Sequence, residues 1–390
     1  MRDGWVETTL EGIAEYINGY PFKPADLGEN GLPVIRIKQL LDPNEPVDRT
    51  ETDTPDRCLL RDGDIVFSWS GTLAVRIWNR GPAKLNQHLF RVVEKKGVCK
   101  GIIPLILDHA IEELEEKSHG TTMKHITKQT LLPHKVLLPP LPEQKRIVDL
   151  ISSVDSYIEA LQQQLDSVKR SRNAVLHELL TAGGDDWVET TIGEVVSVVN
   201  GGTPSTKSED YWGGSIVWIT TTELTAFDGK RVNSSKRTIT VDGLRNGPAR
   251  LVRAGTTLVG TTATIGTCAL ADCELTFNQQ ISGLIPLDKD LDDSYLFYWI
   301  QHIKSILEGL SAGTSFKRIS TSVLKTVSIN FPPIGEQKRI AAVISEMDEF
   351  IESIQRTSIE AKNLRSGLLS DLLSGTHEIP VTYDKAMGPA

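Results

Sequence analysis

The sequence predicts an α+β protein with a pseudo-two-fold internal repeat, in which two mixed α/β domains are separated by two long antiparallel coiled-coil helices. The segment PPLPEQKRI at Pro139–Ile147 returns as PPIGEQKRI at Pro332–Ile340, 193 residues later. WVETT at Trp5–Thr9 likewise reappears at Trp187–Thr191. Each proline-rich segment opens a long stretch with helical periodicity. The chain is therefore expected to consist of two tandem copies of one unit, each a globular part followed by a long helix.

The repeat divides the 390-residue chain into five parts, and this length allows two domains with good cores. The parts are a first domain at 1–141, a first helix at 142–182, a second domain at 183–333, a second helix at 334–375 and a tail at 376–390. Most of the additional length in the second copy enters between Leu40 and Arg61, in a polar, turn-rich stretch. We expect an exposed loop there, where binding differences between the two copies are usually found.

The two globular parts have the pattern of mixed α/β domains. Their β-rich segments are Val34–Ile37, Ile65–Phe67, Val217–Ile219 and Thr257–Val259, separated by glycine and proline. One amphipathic helix is predicted in each copy, near Pro104–Glu116 and near Tyr295–Leu307.

A heptad seam, meaning a line of apolar residues at alternating spacings of four and three, predicts the two long helices. The first seam consists of Ile147, Ile151, Val154, Ile158, Leu161, Leu165, Val168, Arg172, Val175 and Leu179. A shift of 193 residues gives the second seam, with Arg365 at the position of Arg172. If the helices pack antiparallel with aligned ends, Arg172 should contact Asp348, and Arg365 should contact Asp155. Two solvated arginines are the alternative.

Composition restricts the classes of function. The net charge is −9, and acidic side chains outnumber basic ones in each of the segments 1–142, 143–182, 183–333 and 334–390. This balance disfavours strong nucleic-acid binding by the chain alone, so any contact with DNA needs local patches or a partner that adds positive charge. No apolar run or leader-like start predicts a membrane segment. The four cysteines include no CxxC pair, so a reducing cytoplasm is the expected location.

Catalytic motifs are missing from the sequence. It contains no GxxxxGK[ST] loop, no HExxH and no GxSxG, so it predicts neither a catalytic residue nor a metal site. The two Pro-Pro pairs lack the acidic or Asn residue before them and the aromatic residue after them that an adenine methyltransferase would carry. Asp64 and Glu94 could form a nuclease-like site in the first copy. The second copy has no counterpart, since Thr256 stands in place of the aspartate.

Binding chemistry recurs in three zones of both copies. Zone one is the segment Ser68-Trp69-Ser70-Gly71-Thr72, matched by Gly260-Thr261-Thr262-Ala263-Thr264, and its candidate residues are Ser68, Ser70, Thr72, Thr261, Thr262 and Thr264. Zone two comprises Asn86, Gln87 and His88, matched by Asn278, Gln279 and Gln280. Zone three comprises Thr121, Thr122 and Lys124, matched by Thr314, Ser315, Lys317 and Arg318. Small hydroxyl residues beside glycine allow close approach to a phosphate, Asn and Gln can bind adenine bidentately, and Lys can bind a phosphate.

Each zone also has a structural alternative. The Asn-Gln pairs could satisfy buried backbone groups, and the hydroxyl residues could form strand-end turns. The NGGTPS segment at Asn200–Ser205 lacks the lysine and helix of a phosphate loop, so a turn is favoured there.

With these features together, the chain resembles the specificity (S) subunit of Type I restriction-modification enzymes. The resemblance is carried by the paired PPLPEQKRI and PPIGEQKRI segments, the helices that they open, and the GTT-x-K and GTS-x-K segments before them. The WVETT starts and NGGTPSTKSEDYW at Asn200–Trp212 also fit. The match covers residues 5–375, and the first copy departs from it with NGYPFK at Asn18–Lys23.

The resemblance implies two target-recognition domains held apart by two spacer helices, with each domain reading one half of a bipartite, asymmetric site on double-stranded DNA. It implies no catalytic residue and no cofactor in this chain. S-adenosylmethionine, ATP and Mg²⁺ are expected in partner subunits, namely two modification (adenine methyltransferase) subunits and the restriction (motor-nuclease) subunits. The zones above are then candidate DNA contacts. The alternatives are a coiled-coil scaffold or decoy that binds protein instead of DNA, and a catalytic fusion fragment.

Overall fold

The computed structural model describes residues 2–118, 128–311 and 318–383. The chain folds into two compact units: one joins residues 1–162 to residues 356–390, and the other is Gln163–Gln355. Each unit therefore combines one α/β domain with part of each long helix. The five-part division of the sequence places its boundaries elsewhere and stays a prediction.

The first domain contains one four-stranded antiparallel sheet, one mixed sheet and a two-stranded ribbon. Its strands are β1 (Val6–Thr9), β2 (Ala14–Asn18), β3 (Leu32–Ile35), β4 (Arg49–Thr50), β5 (Leu59–Leu60), β6 (Ile65–Ser68), β7 (Ala74–Ile77), β8 (Ala83–Leu85), β9 (Leu89–Glu94) and β10 (Lys135–Leu138). Its helices are α1 (Leu10–Ile13), α2 (Ile37–Leu41), α3 (Ile102–Ser118) and α4 (Lys128–Leu131). The sheet orders are β2-β9-β6-β7, β4-β3-β8-β5 and β1-β10. The long helix α5 (Leu141–Thr181) follows the ribbon strand β10.

The second domain repeats this plan. Its strands are β11 (Val188–Thr191), β12 (Val196–Asn200), β13 (Trp212–Ile219), β14 (Lys230–Val232), β15 (Thr238–Ile239), β16 (Thr257–Gly260), β17 (Cys268–Ala271), β18 (Leu275–Phe277), β19 (Ile281–Pro286) and β20 (Ser328–Phe331). Its helices are α6 (Ile192–Val195), α7 (Thr221–Ala226), α8 (Val241–Asn246), α9 (Asp293–His302), α10 (Lys304–Leu310) and α11 (Thr321–Lys325). The orders are β12-β19-β16-β17-β14, β15-β13-β18 and β11-β20. The second long helix is α12 (Ile334–Leu373).

The VETT parts of the WVETT segments form the first strand of each ribbon. β1 pairs antiparallel with β10 and β11 with β20, so each repeat start lies beside the strand that leads into the long helix. The four predicted β-rich segments overlap β3, β6, β13 and β16, although Ile37 already begins α2. The helix predicted near Tyr295–Leu307 is divided at Ile303 into α9 and α10. The predicted mixed α/β character is confirmed.

The heptad seam is buried or partly buried along α5, and the most buried face shifts near the C-terminus of the helix. Ile147 and Ile151 are completely buried, whereas the predicted Val175 is only partly buried and Leu176 takes its place in the core. Leu176 packs in a cluster with residues of the second domain, so this part of the helix must cover a globular core as well as α12. The buried stripe of α5 is therefore wider there than the seam of a two-helix coiled coil.

The two arginines of the seams make the predicted ion pairs. Arg172 Nε lies 2.8 Å from Asp348 Oδ1, and Arg365 contacts Asp155 with Nη2 at 3.1 Å from Oδ2. Both pairs that the antiparallel register predicts are present, so this register is confirmed at these positions. Among the described residues, no helix is both long enough and apolar enough to cross a membrane.

Candidate nucleic-acid interface

The repeated Asn-Gly pairs end the strands β2 and β12, and their glycines are required by close backbone contact. A Cβ atom on Gly19 would lie 2.3 Å from the carbonyl oxygen of Asn86, and one on Gly201 would lie 2.1 Å from that of Asn278. No side chain fits at such distances, so glycine allows the loop after the strand to lie against zone two. Two motifs that are far apart in sequence thus belong to one local structure in each domain.

The zone-two asparagines hold a tight turn. Asn86 is 6% exposed, and its Oδ1 accepts the backbone N–H of His88 at 3.3 Å. Asn278 is 8% exposed and accepts the N–H of Gln280 at 3.1 Å. This geometry supports the structural alternative for both asparagines.

The residues that follow them are better placed to meet a ligand. Gln87, His88 and Gln279 are exposed, whereas Gln280 is half-buried and accepts a 2.9 Å bond from the Thr221 hydroxyl. The exposed members of zone two are therefore the glutamines next to the asparagines, together with His88.

In the first domain, zones one and two lie side by side. Ser68 is completely buried, and its hydroxyl donates to the carbonyl of Thr72 at 2.6 Å, which closes the turn between β6 and β7. The adjacent Trp69 ring lies 6.2 Å from that of His88. Ser70 is half-buried and Thr72 is exposed at this turn. Ser68 therefore shapes the turn, and Ser70 and Thr72 are available at its surface.

In the second domain, the described parts of all three zones meet. The Thr261 N–H donates to the Gln280 carbonyl at 3.0 Å, and the Thr261 carbonyl accepts the N–H of Ile319 at 2.9 Å. Thr262 forms a β-bridge with Arg318, which is exposed. The hairpin of zone one thus lies between zone two and the start of the segment after zone three.

The turn of zone one contains a strained residue in the second domain. Ala263 has φ 64°, in the left-handed region that costs a non-glycine residue about 1–2 kcal/mol. Its counterpart Gly71 has φ 77° without that cost. The half-buried Thr264 follows, and its carbonyl accepts the Thr267 hydroxyl at 2.7 Å. Strain of this kind is often found in loops that bind ligands.

The rest of zone three lies outside the described residues. This applies to Thr121, Thr122 and Lys124 in the first copy and to Thr314, Ser315 and Lys317 in the second. Their role as phosphate contacts therefore stays a prediction.

Two tryptophans that the sequence did not single out fix the NGGTPS loop. Trp218 Nε1 donates to the carbonyl of Gly202 at 3.0 Å, and Trp212 Nε1 donates to that of Ser205 at 3.1 Å. Thr203 then donates to Gln279 Oε1 at 2.6 Å. Residues 201–205 form an irregular loop and not the favoured turn, and this loop is bonded directly to zone two.

Alongside Arg318, Arg237 is a cationic group of this surface. Its guanidinium lies 3.7 Å from the centre of the Trp212 ring, and its side chain is exposed. Within the described part of the chain, Arg237 has no carboxylate partner. In the first domain Arg80 stacks similarly on Trp78 at 4.2 Å but donates to the Gln39 carbonyl, and burial lowers its pKa. An oriented arginine without an acidic partner suits a phosphate or a base edge.

Sequence pattern could not have identified Arg237. Strand β15 begins at the next residue and pairs with β13, which contains Trp212 and Trp218, so only the tertiary fold brings the arginine to the tryptophans. Across residues 2–118, 128–311 and 318–383, no group of three or more His, Cys, Asp or Glu side chains is arranged to hold a metal ion.

Comparison with known proteins gives one consistent result. The family model described as "Type I restriction modification DNA specificity domain" matches residues 2–170 and 184–363. The specificity subunit of the Type I restriction enzyme MjaIX of Methanocaldococcus jannaschii is 35% identical over 170 residues, which cover 43% of this chain and 39% of that subunit. The putative MjaX specificity subunit of the same organism is 23% identical over 96% of this chain and 94% of its own length.

A solved structure shows the same fold. It comes from work on complex assembly and conformational transition of the type I R-M system, and it matches with a TM-score of 0.65 at 17% identity. The match covers 96% of this chain and 98% of that chain.

Proposed function

Because this chain belongs to the family of Type I restriction-modification DNA specificity subunits, we propose that each of its two α/β domains reads one half of a bipartite, asymmetric DNA site. The chain is the non-catalytic DNA-recognition component of such a system, and the catalytic cofactors belong to the modification and restriction subunits. The single observation that carries the proposal is the repeated surface, built in both domains from an Asn-Gly loop, a zone-two turn and a zone-one hairpin.

The differences between the two surfaces support an asymmetric site. The second domain has the NGGTPS loop fixed by Trp212 and Trp218, with Arg237 above it. The first domain has NGYPFK instead, where Tyr20 and Phe22 pack edge to face at 5.0 Å. The loop next to zone two thus differs between the two domains in sequence and in the contacts that hold it, so the two half-sites should differ in sequence.

Matched features of the long helices support docking of two copies of one partner, the modification subunit. Tyr157 on α5 is 53% exposed, and its repeat counterpart Phe350 on α12 is 49% exposed. Exposed aromatic residues are frequent anchors of protein interfaces. Tyr157 also borders a groove of about 580 Å³ with Val154 and Leu364. The partners would add the positive charge that this acidic chain lacks, and the restriction subunits would join through them, in the cytoplasm where the DNA is.

Methylome sequencing of cells that express the chain with its cognate modification subunits tests the proposal. We expect methylated adenines within a single bipartite motif, with two different half-sites and one gap length. Exchange of 1–141 for the first domain of a relative should change one half-site and leave the other intact. Absence of motif-specific methylation, despite co-purification with the modification subunits, would instead favour a scaffold or decoy that binds protein.

The spacer helices provide a second test. If they set the gap, removal of four residues, about one helical turn, from one of them should change the gap length and preserve both half-sites. A variant that methylates with the original gap would contradict this role of the helices.

A further inference from the structure

The glutamine of the repeated EQKRI motif makes the same buried contacts in both copies. Gln144 is 1% exposed; its Oε1 accepts the N–H of Cys99 at 2.7 Å, and its Nε2 donates to the carbonyls of Pro139 at 2.9 Å and Gly97 at 3.3 Å. We call this set of four residues the first glutamine clamp. It joins the start of α5 to Pro139, which follows strand β10, and to the loop that leads into α3.

The second glutamine clamp has the same design. Gln337 is completely buried; its Oε1 accepts the N–H of Asp292 at 2.8 Å, and its Nε2 donates to the carbonyls of Pro332 at 2.8 Å and Asp290 at 2.7 Å. Every partner lies 193 residues after its counterpart in the first clamp. Asp292 is also the N-cap of α9, so this clamp reaches the main helix of the domain directly.

The glutamate beside each glutamine does not repeat its contacts. Glu143 is buried and accepts the Trp5 indole N–H at 3.1 Å. Glu336 instead binds Arg339 of its own helix at 2.9 Å, in an exposed pair that lowers the pKa of the glutamate. Local packing alone therefore does not force equal contacts on the motif. The glutamine is the member whose side chain joins domain to helix by the same hydrogen bonds twice.

We propose that Gln144 and Gln337 are positioning residues that fix the angle between each recognition domain and its spacer helix, and thereby the gap between the two DNA half-sites. This inference rests on the proposed function, since a gap exists only if both domains read DNA. A domain of about 140 residues has a radius of gyration of roughly 14 Å. A rotation of about 10° at the junction would move its far side by several ångströms, comparable with the rise of about 3.4 Å per base pair.

The chemistry of the amide suits this task. A buried amide that both donates and accepts specifies orientation, because each bond weakens as its partner leaves the favoured hydrogen-bonding distance and angle. Apolar packing around the junction is tolerant of sliding by comparison. The clamp bonds three segments at one point, so the domain cannot turn on the helix without breaking at least one of these bonds.

The test uses the full chain with its modification subunits and a set of DNA duplexes in which the two half-sites are separated by the natural gap, or by one base pair more or less. Gln144→Met and Gln337→Met retain side-chain length but remove the hydrogen bonds. We expect the preference for the natural gap to fall roughly tenfold in each variant, as for the loss of about 1.4 kcal/mol of orienting free energy. Recognition of each half-site sequence should be retained. Gln164→Met, an exposed position on α5, is the matched control and should keep the wild-type preference.

The possible outcomes distinguish a failure of the proposed function from a failure of the positioning role. If the wild-type complex shows no gap preference, the proposed function fails. If it does, and both methionine variants fold and keep the wild-type preference, the positioning role is wrong. Gln144→Glu and Gln337→Glu, which retain the acceptor but lose the donor, provide a second pair if the methionine variants unfold. Loss of folding in all four variants would show that the clamps serve stability alone, which also overturns the proposal.

Discussion

Arg172 on α5 and Asp348 on α12 form a bidentate ion pair, with Nε 2.8 Å from Oδ1 and Nη2 3.0 Å from Oδ2. The same guanidinium donates to Gln301 Oε1 at 2.9 Å and lies 5.5 Å from the ring centre of Tyr298. The pair therefore joins the two long helices and also ties them to helix α9 of the second domain. Its counterpart, Arg365 with Asp155, has the same geometry but is more exposed.

We expect the two pairs to contribute unequally to stability. The Arg172 side chain is 9% exposed, against 23% for Arg365, and Asp348 is 29% exposed against 45% for Asp155. Loss of Arg172 leaves a partly buried carboxylate without its partner, so R172A should lower the free energy of unfolding by about 2–3 kcal/mol. R365A should cost about 1 kcal/mol or less, since exposed pairs are screened by solvent.

Urea denaturation of both variants, with D348A and the double variant R172A/D348A, measures this difference. The double-mutant cycle should give a coupling energy of about 1–3 kcal/mol for Arg172 with Asp348. If R172A and R365A lose equal free energy of unfolding, or if the coupling energy is near zero, the Arg172–Asp348 pair is not the stronger of the two.

Much of the architecture could be predicted because duplication and helical periodicity are visible in the sequence. The register of α5 against α12 followed from one arginine in each seam, since a charge at an interior position needs a partner on the facing helix. The contribution of Leu176 in place of Val175 could not be predicted, because it depends on the domain core that covers the helix from the side. A heptad pattern predicts only the contacts that a helix makes with its partner helix.

The candidate interface was predictable in part for a similar reason. The zone-two turns recur in sequence, but the burial of Asn86 and Asn278 becomes evident only when the Asn-Gly loop lies on them. Arg237 was missed because its recognition requires the pairing of β13 with β15. Local patterns identify residues that repeat, whereas contacts made across strands depend on topology.

The contact between Gly201 and Asn278 gives a prediction for the interface. A Cβ atom at position 201 would lie 2.1 Å from the Asn278 carbonyl oxygen, so G201A must displace either the loop or the turn. We expect a stability cost of about 1–3 kcal/mol and loss of recognition of the second domain's half-site. Recognition of the other half-site should remain. Methylation of duplexes in which one half-site at a time is altered measures the recognition of each half-site.

G367A is the matched control for G201A. Gly367 lies inside α12, and a Cβ there would meet nothing within 4 Å. Alanine has a higher helix propensity than glycine, so this variant should be more stable by up to about 1 kcal/mol and should methylate normally. If G201A also methylates both half-sites normally, the loop is not part of the reading surface.

The stacked guanidinium of Arg237 should contact a DNA phosphate. R237A should weaken binding of the complex to all DNA sequences alike and reduce the salt dependence of binding by about one phosphate contact. R237K should restore part of the affinity, because it retains the charge but not the flat stacking on Trp212. Binding measured over a range of salt concentrations tests this.

Arg231→Ala is the control for Arg237, since Arg231 is exposed but already paired with Asp272 at 3.2 Å. It should change affinity and salt dependence less than R237A. A loss in R237A that is confined to one base at one position would instead make Arg237 a base-reading residue, and the phosphate assignment would be wrong.

Asp108 occupies in the first copy the position of Gln301 in the second, and its carboxyl group titrates unusually. Burial raises its pKa from 3.8 to about 6, although the nearby Arg365 and Arg76 act in the opposite direction. The folded chain thus holds this proton more tightly than the unfolded chain does. Stability from this group is complete below about pH 4 and is lost as the pH rises through about 6.

The variant D108N, which resembles the amide found in the second copy, should abolish this loss. A shift of about two pKa units corresponds to at most about 3 kcal/mol, and partial solvent access reduces the expected effect to about 1–2 kcal/mol. The stability of D108N relative to the wild-type chain should therefore increase by that amount between pH 4 and pH 7 and then remain constant. Denaturation at several pH values measures it, with D149N at an exposed position of α5 as the control. A difference that does not vary with pH would mean that Asp108 is ionised in the folded chain as readily as in the unfolded one.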